Sequence, residues 1–418
     1  MQAGGAHVFD AVIVGGGVAG SAVACRLARA GASVLVLERE HQFVDRVRGD
    51  AMYPWGVAEA VRLGLEAGPL AAASRLLPYW HTHVAGVPES AARDLTANGG
   101  LGARAFFHPE LQSALLSAAE QAGAQVVRGA AVTGFSRAPG PQRLHLVEAR
   151  ANGAPSDHLA RLVIGADGRS SRARAWGAFS VNADPEKLMF AGVLLAGARV
   201  SFTQHESDTA HVFFAPSTGL LAMVLPLDGR RTRAYVGYHL ARGRRRLSGA
   251  AAFPEFRRLS EEAGVPPDWY DGAEVAGPLA QFSGADTWVD EPYSRGVALV
   301  GDAAAASDPS FGCGMALALR GARQLTDELL HVGSFDQGAI DEAGVAYAEQ
   351  ASADFLALHR QISWLADVYR EPGTAADAMR AGLWPLYARE PSRVPDVVLL
   401  GPDGPSDETA KRRFLGLD

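Results

Sequence analysis

The chain has 418 residues, 48% hydrophobic and 20% charged, with a formal net charge of −7. That balance excludes a disordered chain and gives no general attraction for nucleic acid. Cys25 and Cys313 are the only cysteines, which excludes a disulfide framework and leads us to expect a reducing cytoplasm. No signal peptide is expected at the start, and no run of about 18 apolar residues is present to span a membrane.

The first elements predicted are a short buried strand over Phe9 to Val14, a helix over residues 18–30 ended by Gly31, and a second buried strand from Ala32 to Leu37 closed by Glu38. Between the first strand and the helix, Gly15, Gly17 and Gly20 fall in G-x-G-x-x-G spacing. Gly15 permits the tight turn, Gly17 lets backbone approach a pyrophosphate, and Gly20 lets helix and strand pack closely. The helix N-terminus offers free N–H groups to a phosphate. Glu38 stands where a carboxylate can bond ribose hydroxyls. The unit predicts a dinucleotide, and FAD and NAD satisfy it equally.

Further along, His81 and His83 alternate as they would on a strand. They lack further His, Cys or carboxylate at ligand spacing, so no metal site is expected. Arg161 to Ala166 predicts a buried strand broken by Asp167-Gly168, with Ser171 and Arg174 on the turn beyond. The aspartate can accept from ribose or nearby backbone. The arginine can hold it, or bind a pyrophosphate bidentately. Residues 181–289 carry apolar runs separated by turn signals and predict an antiparallel sheet. Its cationic stretch 241–247 reads as a solvated face that could also attract a nicotinamide phosphate or an acidic carrier. Residues 297–301 predict another buried strand ended by Asp302. Pro309, Gly312 and Gly314 follow in a loop before a helix, whose N-terminus would favour charge developing on an electron-rich ligand. Cys313 in this loop is expected to pack rather than react.

Together these motifs resemble those of the single-component FAD-dependent monooxygenases, the family of p-hydroxybenzoate hydroxylase, with flavin-dependent halogenases and geranylgeranyl reductases as relatives. Asp167, Gly168, Ser171 and Arg174 match the second motif of that family. Gly301, Asp302, Ala303, Ala304, Pro309, Gly312 and Gly314 match the third, in which Ala305 replaces a histidine. The resemblance implies an α/β fold: a discontinuous Rossmann-type FAD-binding domain over 6–75, 103–180 and 290–335, an inserted mixed β-sheet substrate domain over 76–102 and 181–289, and a C-terminal helical region over 336–418. It implies cofactor contacts from Glu38 and Arg39, from Arg48, from Gln112 and from Asp302. Tyr53, Trp55, Pro309 and Phe311 are pocket candidates, and no catalytic base is nameable.

By the same resemblance, the reaction is insertion of one oxygen atom from O2 into a small aromatic or olefinic substrate through a flavin C4a-hydroperoxide. NAD(P)H is expected as a transient co-substrate, because no second dinucleotide unit is present, and a flavin reductase is an alternative electron source. Halogenases carry a Trp-x-Trp-x-Ile-Pro stretch and a guiding lysine. The stretch is absent, and Lys187 is the only lysine in the body of the chain, Lys411 lying in the tail. A reductase of the geranylgeranyl type fits the third motif as well, and a flavoprotein that binds without turnover is a fourth reading.

Overall fold

A computed structural model describes residues 7–88, 91–200 and 206–418. The chain begins with β1 (Val8–Val14), α1 (Val18–Arg29) and β2 (Val34–Glu38). The second strand therefore starts two residues later than the apolar pattern suggests, after a turn at Gly31 with φ +88°. α2 (Pro54–Arg62) and the strand β3 (Tyr79–Val84) follow, then α3 (His108–Gln121). β4 (Gln125–Arg128), β5 (Ala130–Arg137), β6 (His145–Ala151) and β7 (Ala154–Gly165) come next. The sequence pattern reveals only the last part of β7, because its first half pairs with β6 as a half-exposed ribbon.

β8 (Leu188–Ala196), β9 (Thr209–Ala215), β10 (Leu220–Pro226) and β11 (Arg231–His239) precede α4 (Phe253–Glu262). β12 (Tyr293–Ser294) and β13 (Val297–Leu299) lead into α5 (Gly314–Val332). The rest is helical: α6 (Gln337–Tyr369), α7 (Thr374–Arg389) and α8 (Glu408–Phe414). None of the described helices is long and apolar enough to cross a membrane.

The first sheet runs β12-β13-β7-β1-β2-β4, with β6 and β5 added beside β7. The pairs β13–β7, β7–β1, β1–β2 and β2–β4 are parallel. Such strands are buried on both faces, which is why they read as continuous apolar runs. Ala11, Ile13, Val34 and Val36 pack toward α1, while Val12, Val14, Leu35 and Leu37 fill the opposite side with Phe135 and Val147.

The second sheet runs β8-β11-β10-β9-β3, continued by residues 274–275 and 280–283 beside β8 and by residues 93–94 beside β3. It is antiparallel except at β9–β3, where residues 209–214 pair in parallel with 79–84. Its side chains alternate between two cores, as period-two geometry requires. Phe190, Val212, Phe214, Met223 and Tyr235 join the core shared with the first sheet. Ala191, Phe213, Ala222, Val224 and Val236 face away, under Phe256 and Leu259 of α4. The protein is thus an α/β molecule with a Rossmann-type sheet, a second mixed sheet and a helical C-terminus.

Candidate functional site

Val14 pairs with Leu37 and Gly165, and Gly165 pairs with Leu299. The carboxyl ends of four neighbouring parallel strands therefore line up, and ligands of open α/β sheets bind outside that edge. The three sequence motifs leave from it. The Gly15 amide donates to the Leu37 carbonyl at 2.9 Å, the Ala166 amide to Val14 at 2.8 Å, and the Val300 amide to Gly165 at 2.9 Å. Gly15 has φ +101°, and a Cβ there would lie 2.6 Å from the Ala166 oxygen. A Cβ on Gly20 would lie 2.1 Å from the Gly15 oxygen. At Gly17 the situation is the reverse: a Cβ would meet only Gln112 Nε2, at 3.7 Å. Two glycines are close-packing requirements, and the middle one keeps space in front of the helix N-terminus, with Gln112 of α3 across that space. Glu38 Oε2 accepts from the Gly16 amide at 2.7 Å and Oε1 from the Glu40 amide at 2.8 Å. The acid first fixes the glycine turn, and its remaining lone pairs are what a ribose hydroxyl would use.

In the second motif, Asp167 Oδ2 accepts from the Arg172 and Ala173 amides at 2.7 and 3.1 Å. Oδ1 is buried without a protein partner. Arg174 makes no hydrogen bond to Asp167, although the two charges attract, and its nitrogens bond to backbone carbonyls rather than point at open space. Its Nε donates to the Ala303 carbonyl at 2.7 Å, Nη2 to Asp302 at 2.6 Å and Nη1 to Arg169 at 3.3 Å. It rivets the second motif to the third. Asp302 is half-buried among cations: burial raises its carboxyl pKa, and Arg169, Arg48, His108 and Arg174 pull it back down. Arg48 keeps exposed surface, with its guanidinium 5.1 Å above the Phe282 ring. The protein around it and the charge of Arg169 lower its pKa, and Asp302 opposes them.

Behind Arg48 lies a buried polar network that the sequence did not disclose. Arg233 Nη2 donates to both Asp45 oxygens at 2.9 Å, and its Nε lies 3.0 Å from Asp50 Oδ2. Tyr235 donates to the same Asp50 oxygen at 2.5 Å. Burial raises the Asp50 carboxyl, with Arg233 and the Tyr235 hydroxyl opposing. The network ties the 39–50 loop to β11. Its members are far apart in sequence, and only Arg233 and Tyr235 share an element.

The third motif ends in a turn over Pro309–Phe311 capped by Asp308, whose side chain accepts from the Ser310 amide at 2.8 Å. Arg370, just past α6, ion-pairs with Asp308, donates to Ser310 Oγ at 2.7 Å and lies 6.0 Å from the Phe311 ring. Gly312 has φ +66°, and a Cβ on it would lie 3.1 Å from the Tyr53 hydroxyl. Aromatic rings continue outward from this turn. Tyr53 meets Trp80 at 4.8 Å, Phe311 meets Phe214 at 5.8 Å, Phe214 meets Tyr369 at 5.3 Å, and Tyr369 meets Trp384 at 5.4 Å. Burial holds the Tyr53 phenol well above its usual pKa, so it stays protonated. Phe214, Tyr369 and Trp384 were not among the expected pocket residues, because they come from three distant elements.

Some expected residues have other neighbours. Trp55 donates its indole N–H to the Val397 carbonyl at 3.1 Å and packs on Gly401, so it anchors the C-terminal segment. Arg39 is exposed and 3.3 Å from Glu40. Within 241–247, Arg242, Arg244 and Arg245 pair with Glu262, Glu186 and Glu255, which leaves a largely neutralised surface rather than a phosphate site. Cys313 is fully buried, and burial beside Asp286 and Asp308 pushes its thiol up, away from reactivity. His81 and His83 acquire a third neighbour, His211, from β9.

A family model described as "FAD binding domain" matches residues 8–344. The chain belongs to the FAD-binding-domain family. The residues fit that cofactor: the open space at Gly17, the buried unpartnered Asp167 Oδ1 and the arginines about Asp302 suit a dinucleotide with an anionic pyrophosphate. Among curated proteins, the squalene monooxygenase of Eremothecium gossypii is 48% identical over 58 residues, which is 14% of this chain and only 12% of that protein. Among solved structures, the p-nitrophenol 4-monooxygenase PnpA from Pseudomonas putida DLL-E4 superposes with a TM-score of 0.74 at 19% identity, covering 92% of this chain and 95% of the other. The flavin-dependent brominase Bmp2 gives 0.72 at 16% identity, over 86% and 87%. These likenesses show a shared fold.

Proposed function

We propose that this member of the FAD-binding-domain family is an FAD-dependent monooxygenase that inserts one oxygen atom from O2 into a small aromatic or olefinic substrate, with NAD(P)H or a separate flavin reductase supplying electrons. The observation that carries the proposal is the convergence of three motifs at one strand edge, facing an apolar sheet and an aromatic cluster. Bound FAD would supply the electron transfer and the activation of O2.

The chain's own residues do the rest. Gly15, Gly17 and Gly20 with the α1 N-terminus would take the pyrophosphate, Glu38 the adenosine ribose, and Arg48, Gln112, Asp167, Gly168 and Asp302 the middle of the cofactor. Pro309, Gly312 and Gly314 would lie along the ring, with the N–H groups at the start of α5 stabilising its negative charge. Tyr53, Trp80, Phe214, Phe311 and Tyr369 would hold the substrate and exclude water, which this chemistry requires. Tyr53 cannot act as a base near neutral pH, because burial keeps its proton in place. In this reading residues 6–75, 103–180 and 290–335 form the cofactor unit, 76–102 and 181–289 the substrate unit, and the protein works in the cytoplasm.

A halogenase would need a lysine beside the substrate. Lys187 is more than half exposed and 3.4 Å from Glu371, which places it at the surface. The deciding experiment follows NAD(P)H consumption by the yellow protein with candidate substrates under labelled O2. One labelled oxygen per product supports the proposal. Unlabelled product, or conversion under strict anaerobiosis, replaces it with a reductase or dehydrogenase.

A further inference from the structure

We propose that His81, His83 and His211 form a binding site for a divalent late transition metal of the Zn2+ class, which clips β3 to β9 on the side of the second sheet away from the flavin site. His81 and His83 are two apart on β3 and so share a face. His211 is paired with His81 across the parallel ladder, which puts all three imidazoles on that face. One ring nitrogen of each lies within 4.8 Å of the others. His83 Nε2 and His211 Nδ1 are 3.2 Å apart. Two Zn–N bonds of about 2.0–2.1 Å at a tetrahedral angle place their nitrogens about 3.3 Å apart, so this pair already has ligand spacing. The rings are oriented by packing: His83 stacks on Phe213 at 4.2 Å and 6°, and His211 meets Trp269 edge-on at 4.7 Å.

Phe213 belongs to the core under α4, whereas its neighbours Val212 and Phe214 belong to the core of the flavin side. The three histidines are therefore separated from the proposed chemistry by the thickness of the sheet. Three imidazoles suit Zn2+, Ni2+ or Cu2+ and leave one position for an exchangeable ligand such as water. Coordination uses the lone pair of each neutral ring. The proton shared between His83 and His211 moves to the far nitrogen of its own ring, so no redox step is involved. The location gives the site a purpose. Among the described residues β3–β9 is the one parallel pair of strands in its sheet, a slightly weaker pairing, and its strands come from segments more than a hundred residues apart.

The test uses untagged full-length protein, stripped with EDTA and dialysed against Zn2+. One Zn2+ per chain is expected, together with a visible tetrahedral d–d spectrum when Co2+ replaces it. A hundredfold excess over Kd should raise the Tm by about 2–5 °C. His83→Gln and His211→Gln should lose the metal and the Co2+ spectrum, while flavin absorbance stays at the wild-type level as a check on folding. His331→Gln, on α5, should behave as wild type. Substoichiometric Zn2+ in the wild-type protein, or equal Zn2+ in the His83→Gln/His211→Gln double variant, overturns the site. Neither outcome bears on the flavin proposal.

Discussion

In the proposed reading the first sheet offers its ligand side at the ends of its strands, and the second offers it across a face. At the strand ends the contacts are backbone ones: glycines, turn amides and carbonyls whose positions the parallel register fixes. On the face they are side chains gathered from β3, β9, the third motif and the C-terminal helices. A strand-end site tolerates little, because backbone cannot repack. A face of interdigitating rings can be re-cut one residue at a time, which suits a scaffold that keeps its cofactor and changes its substrate.

Substitutions should separate the two regions. The largest effect is expected from Gly20→Val, whose Cβ would be forced against the Gly15 carbonyl. The purified variant should be colourless after incubation with FAD. A yellow variant with full occupancy would mean that the edge is softer than its geometry says. Arg174→Leu comes next. It strands the carbonyls of Asp302 and Ala303 in a buried place and should cost roughly 3 kcal/mol in urea unfolding. Less than about 1 kcal/mol would deny the rivet.

Arg370→Met acts at the boundary of the two regions. It frees the Asp308 turn without touching β1, β7 or β13, so flavin content should hold while kcat/KM falls by about 10–100-fold. Loss of flavin instead would show that the turn belongs to the cofactor grip.

Asp286 is subtler. Burial, then Asp308, raises its pKa to about 7, with His359 opposing and Asp184 adding to the rise. A carboxyl whose folded pKa is raised binds more protons folded than unfolded between its ordinary value and 7. Stability should therefore fall as pH rises through that window and level off above it. Asp286→Asn should flatten that slope, read as Tm against pH, and an unchanged slope would assign it to another group. The smallest effect is expected at Lys187→Ala: within about 0.5 kcal/mol of wild type and with unchanged activity, since the ion pair is solvent-exposed. A large loss of turnover would revive the halogenase reading.

The contrast also decides what could be read before the fold was known. Gly15, Glu38, Asp167 and Asp302 were legible because each lies at the end of a short apolar run, and Gly17 and Gly20 because they follow Gly15 at fixed spacing, so that local pattern and ligand geometry coincide. Their mutual registration was not, and neither was the task of Arg174, which reaches across 128 residues to Asp302. Trp55 looked like a pocket residue because it follows soon after Arg48, yet its partner Val397 is 342 residues away. The aromatic cluster and the Asp45–Arg233–Asp50–Tyr235 network depend on packing between distant segments, and the third histidine beside His81 and His83 depends on strand pairing. No local spacing encodes that pairing. Residues 181–289 were read as antiparallel and the domain that includes 76–102 as mixed, and the parallel β3–β9 pair arises because β3 is supplied by a distant segment that adds beside β9.

The account rests most heavily on a single flavin held at the carboxyl edge of the first sheet. Its most direct test is the visible absorption spectrum of the purified protein after incubation with FAD and gel filtration. The account predicts about one flavin per chain in the wild type and none in Gly20→Val. A wild-type chain that elutes colourless, with all the FAD in the small-molecule fraction, would contradict it.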